Sequence, residues 1–278
     1  MAVPIYQVDA FTSEPFKGNP AAVCLLEVEQ PPEWMQNVAA EMNLAETAFL
    51  VPRDRAFQLR WFTPTIEIPL CGHATLASAH ILWETETLPL DEEARFETLS
   101  GTLLARRIGA QIEMDFPAIE SDPAEMTEGL RSALGVSPSW VGLTRTAPGK
   151  VGNYLIELNS EAEVRGLQPD FGILRRSVPQ GVIVTARAET SPFDFVSRYF
   201  APNFGVDEDP VTGSAHCALT PHWSRLLGKT EMFGYQASPR GGVVGVALSG
   251  NRVLLSGEAV TILRGVLSGE PIQDEEAV

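Results

Sequence analysis

The apolar positions of this chain recur mostly with the period of strands. Residues 5–11 read as a strand, and 21–26 as a second after the turn Gly18-Asn19-Pro20. Residues 57–63 alternate, with Phe57, Leu59 and Trp61 on one face and Gln58 and Arg60 on the other. Short strands follow at 96–99, 103–107 and 111–116, punctuated by Ser100-Gly101 and Gly109. Further along, 153–158, 181–186, 193–200, 243–248, 252–256 and 259–263 repeat the pattern. Helices are fewer. Residues 33–42 place Trp34, Val38 and Met42 on one face, and 124–134 read as another helix. Residues 72–84 and 213–227 are apolar on nearly every side, which predicts a helix wrapped inside each of two domains. Strands outnumber helices without regular β-α alternation, so the fold class is α+β rather than a doubly wound parallel sheet.

The two buried helices belong to an internal repeat. Phe62-Thr63-Pro64 precedes Cys71-Gly72-His73-Ala74, and Phe200-Ala201-Pro202 precedes Thr212-Gly213-Ser214-Ala215. The phenylalanines are 138 residues apart and the glycines 141, so three residues are inserted between the marks in the second copy. Each copy is a strand, a turn, a loop and a glycine opening a helix. The first N–H groups of a helix have no intrahelical acceptor and, with the helix dipole, favour an anion. Glycine lets a ligand approach that backbone. Gly72 and Gly213 facing one cleft would suit a carboxylate or an enolate-like intermediate. The plainer alternative is two ordinary helix starts, capped by Thr212 or Ser214 in the second.

Composition narrows the function classes. At 278 residues, and about 150 residues per domain, two domains are expected. We expect 1–117 and 118–278, with 117–123 as linker and the extreme C-terminus a candidate to pack on the first domain. The acidic last ten residues are expected to fray. A net charge of −16 argues against nucleic acid and against a polybasic membrane surface. No stretch has the ~18–20 apolar residues of a membrane span, and the N-terminus does not read as a signal peptide. Cys24, Cys71 and Cys217 are odd in number and widely spaced, which points to a reducing cytoplasm and not a disulfide framework. His73, His80, His216 and His222 form no zinc motif, so no metal is expected.

Several blocks resemble one family. They are Val8-Asp9-Ala10-Phe11-Thr12, the Phe16 to Val23 segment, Met42-Asn43-Leu44-Ala45-Glu46-Thr47-Ala48-Phe49 and Phe62-Thr63-Pro64. Leu70-Cys71-Gly72-His73-Ala74-Thr75-Leu76-Ala77 and Asp209-Pro210-Val211-Thr212-Gly213-Ser214-Ala215-His216 continue the series. In this order they resemble the phenazine-biosynthesis-like PhzF isomerase family. The resemblance implies a diaminopimelate-epimerase-like fold: two similar domains, each a curled, mostly antiparallel sheet around a central helix, with the active site between them. It also implies a homodimer, no cofactor and no metal. The best-known member moves a proton between carbons of a dihydro-hydroxyanthranilate with a glutamate as acid/base. That position falls on Glu46, and the family's supporting polar residues fall on His73, Asp209 and Ser214.

These residues have physical readings of their own. A carboxyl at Glu46, shaded by Phe49, is suited to a raised pKa and to taking and returning a proton; otherwise it is a solvated strand-edge acid. His73 would donate to a carboxylate or shuttle a proton, or is a capping or core histidine. Asp209 sits in a charged run that would ordinarily be a turn. Ser214 offers a hydroxyl or is only a cap, and Asn19 is a turn residue with a possible substrate contact. Related epimerases use two cysteines, one before each glycine. Here Thr212 holds the second position, which argues against two-base racemisation. A Cys71/Thr212 pair resembles some hydroxyproline dehydratases, and a buried free cysteine is otherwise a small hydrophobe. Arg198 and Arg240 are possible anion partners. The leading expectation is a cofactor-independent isomerase of a small carboxylate-bearing metabolite. The alternatives are a Cys71-dependent epimerase or dehydratase, and a binding protein that kept the fold without turnover.

Overall fold

The computed structural model describes residues 2–145, 152–189 and 192–268. The chain divides into two compact units, residues 1–115 with 257–278, and 116–256. The expected fraying of the last ten residues lies outside the described residues. Among the described residues, no helix is long and apolar enough to cross a membrane.

The first unit runs β1 (Val3–Ala10), β2 (Asn19–Leu25), α1 (Pro32–Met42), β3 (Glu46–Arg53), β4 (Ala56–Phe62), β5 (Glu67–Ile68), α2 (Gly72–Glu84), β6 (Ala94–Thr98), β7 (Gly101–Ile108) and β8 (Gln111–Pro117). Pairing is antiparallel from β1 to β2, β3 to β4, β4 to β5, β6 to β7 and β7 to β8. It is parallel from β2 to β3 and from β4 to β6. One face of β1–β4 packs on α1, with Phe49 edge-on to Trp34 at 6.1 Å and to Phe62 at 5.6 Å. Met35 and Ala39 are the buried residues of α1 (Trp34, Val38 and Met42 flank them), so the apolar stripe is centred one position from the expected face. Even-numbered β3 residues point the other way, as period two requires. On the helix side, α2 packs against β1, β2 and β3 and is buried almost all round.

The second unit runs β9 (Ser121–Pro123), α3 (Glu128–Leu134), β10 (Trp140–Thr144), β11 (Tyr154–Glu157), α4 (Glu161–Gly166), α5 (Phe171–Ser177), β12 (Val182–Arg187), β13 (Phe195–Ala201), β14 (Val206–Asp209), α6 (Gly213–Leu227), β15 (Glu231–Gln236), β16 (Gly242–Ser249) and β17 (Arg252–Gly257). Its pairings follow the first unit: β10–β11 antiparallel, β11–β12 parallel, β12–β13 and β13–β14 antiparallel, β13–β15 parallel, then β15–β16–β17 antiparallel. The repeat therefore extends from motif to topology. The last strand, β18 (Ala259–Leu267), pairs with β1 and so belongs to the first unit. The second unit is thus 116–256 and not an unbroken 118–278.

Residues 117–123 are not a free linker. Ser121–Pro123 form β9, which pairs with β10. Pro221 inside α6 has no N–H for the carbonyl of Cys217, and that carbonyl accepts from the Ile119 N–H at 3.0 Å instead.

The repeat reaches individual side chains. Arg60 and Glu67 form a two-pronged ion pair at 2.7 and 2.8 Å, and Arg198 and Glu208 do the same at the equivalent positions. Each arginine also lies over the ring two residues on, Phe62 at 5.3 Å and Phe200 at 4.9 Å. These pairs span the three-residue insertion, which therefore lies in the loop containing the short 3-10 turn Pro202–Phe204. Arg198 also donates to the carbonyls of Leu167 at 2.6 Å and Val164 at 3.3 Å, so its expected service to a ligand anion is replaced by structural work.

Candidate functional site

In the first unit three chain segments converge on His73. Gly18 has φ +61°, and a Cβ there would lie 2.1 Å from the Ala10 carbonyl oxygen, so only glycine turns the chain into β2. That turn fixes Asn19, fully buried, as the first residue of β2. Glu46 is the first residue of β3, and the parallel ladder sets it opposite Ala21. Cys71 is the extended residue before α2, with no side chain capping the helix. Its carbonyl takes the Thr75 N–H at 3.1 Å and the Thr75 hydroxyl at 2.6 Å.

His73 is buried, and its two nitrogens face different partners. Nδ1 lies 3.1 Å from Asn19 Nδ2 and 3.5 Å from Cys71 Sγ. When the ring is neutral, an amide N–H aimed at Nδ1 places its proton on Nε2. Nε2 lies 3.0 Å from Glu46 Oε2. The two atoms are close but out of line, and among the described residues neither has a hydrogen-bond partner although both are buried. Burial works against a charge on His73, yet the thiol and the carboxylate outweigh it and hold the ring well above its ordinary range. The Cys71 thiol is itself pushed up to about 11, by burial first and then by the Glu46 charge. Near neutral pH it is therefore protonated, and Glu46 is the partner that counts.

Glu46, Cys71 and His73 bring ligand atoms within 4.8 Å of one another. Glu46 lies at Nε2 and Cys71 at Nδ1, on different nitrogens of the one imidazole.

In the second unit Asp209 ends β14 and Thr212 precedes α6. The Thr212 hydroxyl donates to Asp209 Oδ2 at 2.5 Å, so it does not cap the helix. Gln236, fully buried, ties the pair together. Its Oε1 accepts from the Thr212 N–H at 2.8 Å, and its Nε2 donates to the Asp209 carbonyl at 2.7 Å. His216 occupies the place of Thr75, with Nδ1 2.8 Å from the Thr212 carbonyl, and burial pushes its titration down to about 4. Ser214, at the place of His73, is exposed.

The remaining titratable candidates are structural. His80 lies 3.1 Å from the Thr261 hydroxyl, and His222 2.9 Å from Glu157. Cys24 and Cys217 are buried, with thiols raised by desolvation. The sequence reading missed Gln236 and Tyr199. Tyr199 had a signal, since aligning the two F-x-P marks sets it on Trp61; a glutamine at the end of a strand offered none.

The family described as phenazine biosynthesis-like protein matches residues 8–265. An uncharacterized isomerase of Halalkalibacterium halodurans is 49% identical, covering 96% of this chain and 99% of that protein. The crystal structure of a PhzF-family protein from Enterococcus faecalis superposes with a TM-score of 0.89 at 40% identity, covering 96% of this chain and 99% of that one. The fold alone is shared with a probable proline racemase from Agrobacterium radiobacter, at 12% identity and a TM-score of 0.64, covering 98% of this chain and 94% of that one. A match over nearly the whole chain makes this chain a member of the phenazine-biosynthesis-like PhzF family.

Proposed function

We propose that this chain, an isomerase of the PhzF family, moves a proton between carbons of a small carboxylate-bearing metabolite with Glu46 as the acid/base group. The observation that carries the reading is the pair Glu46 Oε2 and His73 Nε2. They are buried and face each other as an ion pair at 3.0 Å, yet neither has a hydrogen-bond partner among the described residues. Buried polar atoms are ordinarily satisfied, and leaving one unpaired costs about 1–3 kcal/mol. Such a cost is met when a ligand completes the bonds.

The Glu46 carboxylate takes a proton from carbon, and the C–H electron pair moves into the adjacent conjugated or carbonyl system. The Nε2 proton of His73 stabilises the developing negative charge. The carboxylic acid of Glu46 then returns the proton to a different carbon, so atoms and charge balance without a cofactor. The uncapped start of α2 at Gly72 favours the substrate carboxylate. Asp209, Gly213 and Ser214 join the scheme on the family resemblance, as does a homodimer. The three buried free cysteines support a reducing, cytoplasmic setting. A thiol held near 11 supports Glu46 over Cys71 as the base.

The test is solvent-deuterium incorporation into a panel of small unsaturated and hydroxylated carboxylates, a dihydro-hydroxyanthranilate among them. Wild type is expected to label one or more, and Glu46→Gln none. Equal labelling by the two proteins removes Glu46 from the role.

A further inference from the structure

The repeat allows the two units to be compared strand by strand, and they differ at one corner. In the first unit Thr47 pairs with Phe62, and Trp61 with Ile68. In the second Val182 pairs with Phe200, and Tyr199 with Asp209. Trp61 thus corresponds to Tyr199, Ile68 to Asp209, and Glu46, one residue before Thr47, to Gly181. Glu46 and Asp209 thus sit at this corner on different strands of the two units. Where the first unit has Glu46, the second has a glycine and a phenol.

The phenol fills the space the missing side chain leaves. A Cβ on Gly181 would lie 2.2 Å from Tyr199 Oη and 2.6 Å from Asn153 Oδ1. The Tyr199 hydroxyl donates to Asn153 Oδ1 at a long 3.4 Å, a weak bond that leaves it close to loose. Tyr199 stands directly across the antiparallel ladder from Asp209, so both side chains rise from the same face, with Cβ atoms about 5 Å apart. Burial first, and then the Asp209 charge, push the Tyr199 phenol up to about 12, so it is a protonated donor at any working pH. From the helix side, Asp209 Oδ2 is already held by the Thr212 hydroxyl, itself fixed by Gln236. The Thr212 hydroxyl thus bounds the carboxylate from the helix side, and Tyr199 is its cross-strand neighbour on the sheet.

We propose that Tyr199 is a positioning residue, which sets the orientation of the Asp209 carboxylate from the sheet side as Thr212 does from the helix side. This rests on the reading above, in which Asp209 supports proton transfer. Glycine at 181 is the condition for it, since any side chain there would displace the phenol.

The experiment is a double-mutant cycle in the full chain, read as kcat and KM for deuterium incorporation into the panel compound that wild type labels. Tyr199→Phe is expected to lower kcat about tenfold with KM within about twofold, less than the 10²–10³ lost with a donor that touches the reacting oxygen. Tyr199→Phe combined with Asp209→Asn is expected to be no slower than Asp209→Asn alone, because the phenol acts through the carboxylate. Thermal melting by circular dichroism checks that each variant folds. Gly181→Ala, which pushes the hydroxyl away while retaining it, supplies the same test if Tyr199→Phe does not fold. Wild-type kcat in the folded variant, or losses that multiply in the double mutant, overturns the proposal. Full activity in Glu46→Gln, or no labelling by wild type, overturns the parent reading instead, and this inference falls with it.

Discussion

The duplicated arginine–glutamate pair offers a comparison of one interaction in two settings. Replacing Arg198 with alanine removes two ion-paired hydrogen bonds to Glu208, at 2.7 and 2.8 Å, and the bonds to the Leu167 and Val164 carbonyls. Both side chains are largely buried, at 8% and 13% exposure. Glu208 would be left as a desolvated charge without its partner, which costs about 3–5 kcal/mol. Arg60 and Glu67 are 17% and 25% exposed, and water reaches them more readily. Arg60→Ala is therefore expected to cost only about 1–2 kcal/mol, between a surface pair and a charged buried bond. The assay is urea unfolding of both variants by far-ultraviolet circular dichroism, with midpoints compared at equal slope. Replacing both Arg198 and Glu208 with apolar residues should recover much of the loss, because the penalty lies in the orphaned charge. Arg198→Ala costing no more than Arg60→Ala would refute the reasoning, since burial would then not govern the pair.

Four further expectations concern the first unit. Glu46→Gln should lower the titration point of the His73 ring, followed by imidazole NMR with His73→Asn to identify the signal; an unmoved midpoint would separate the two residues. Because the folded-state value is raised, the stability His73 contributes is present below about pH 6.5 and fades as pH rises through the folded-state value, so wild type but not Glu46→Gln should lose that increment above neutrality. Gly18→Ala, at φ +61° with a clash at 2.1 Å, should destabilise by at least the ~1–3 kcal/mol of a strained backbone, and a neutral effect would mean the turn has slack. Cys71 should react with a disulfide reagent far more slowly than a free thiol near pH 7.5, its thiol being held near 11; rapid labelling would reopen its candidacy as a base.

How much of this was legible in the sequence depends on whether a feature is local. The two central helices were read to their end residues, because a glycine opens each and apolar residues surround them. The repeat was legible from two short marks and proved to extend to strand pairing. Strand β15 was not seen: its burial alternates, but the inward Gly234 packs under the Phe195 ring and carries no hydrophobic signal. β9 was hidden between two prolines and an aspartate, in a stretch that reads as linker. Of the site, Glu46 and His73 were nameable, but their contact depends on the parallel register of β2 and β3, which no local pattern encodes. Thr212 reads as a helix cap in sequence, and only the approach of Asp209 and Gln236 gives its hydroxyl and amide other work. The same limit applies to Arg198, whose partner lies across a strand pair ten residues away.

The central claim is that Glu46, and not Cys71, moves the proton. It is tested most directly by measuring, by mass spectrometry, the rate of deuterium incorporation into the labelled panel compound by Glu46→Gln and Cys71→Ser side by side with wild type. The account predicts that Glu46→Gln loses about 10²-fold or more, as expected for removal of a general acid/base, while Cys71→Ser stays within a few-fold of wild type. Loss of labelling in Cys71→Ser with retention in Glu46→Gln would contradict it.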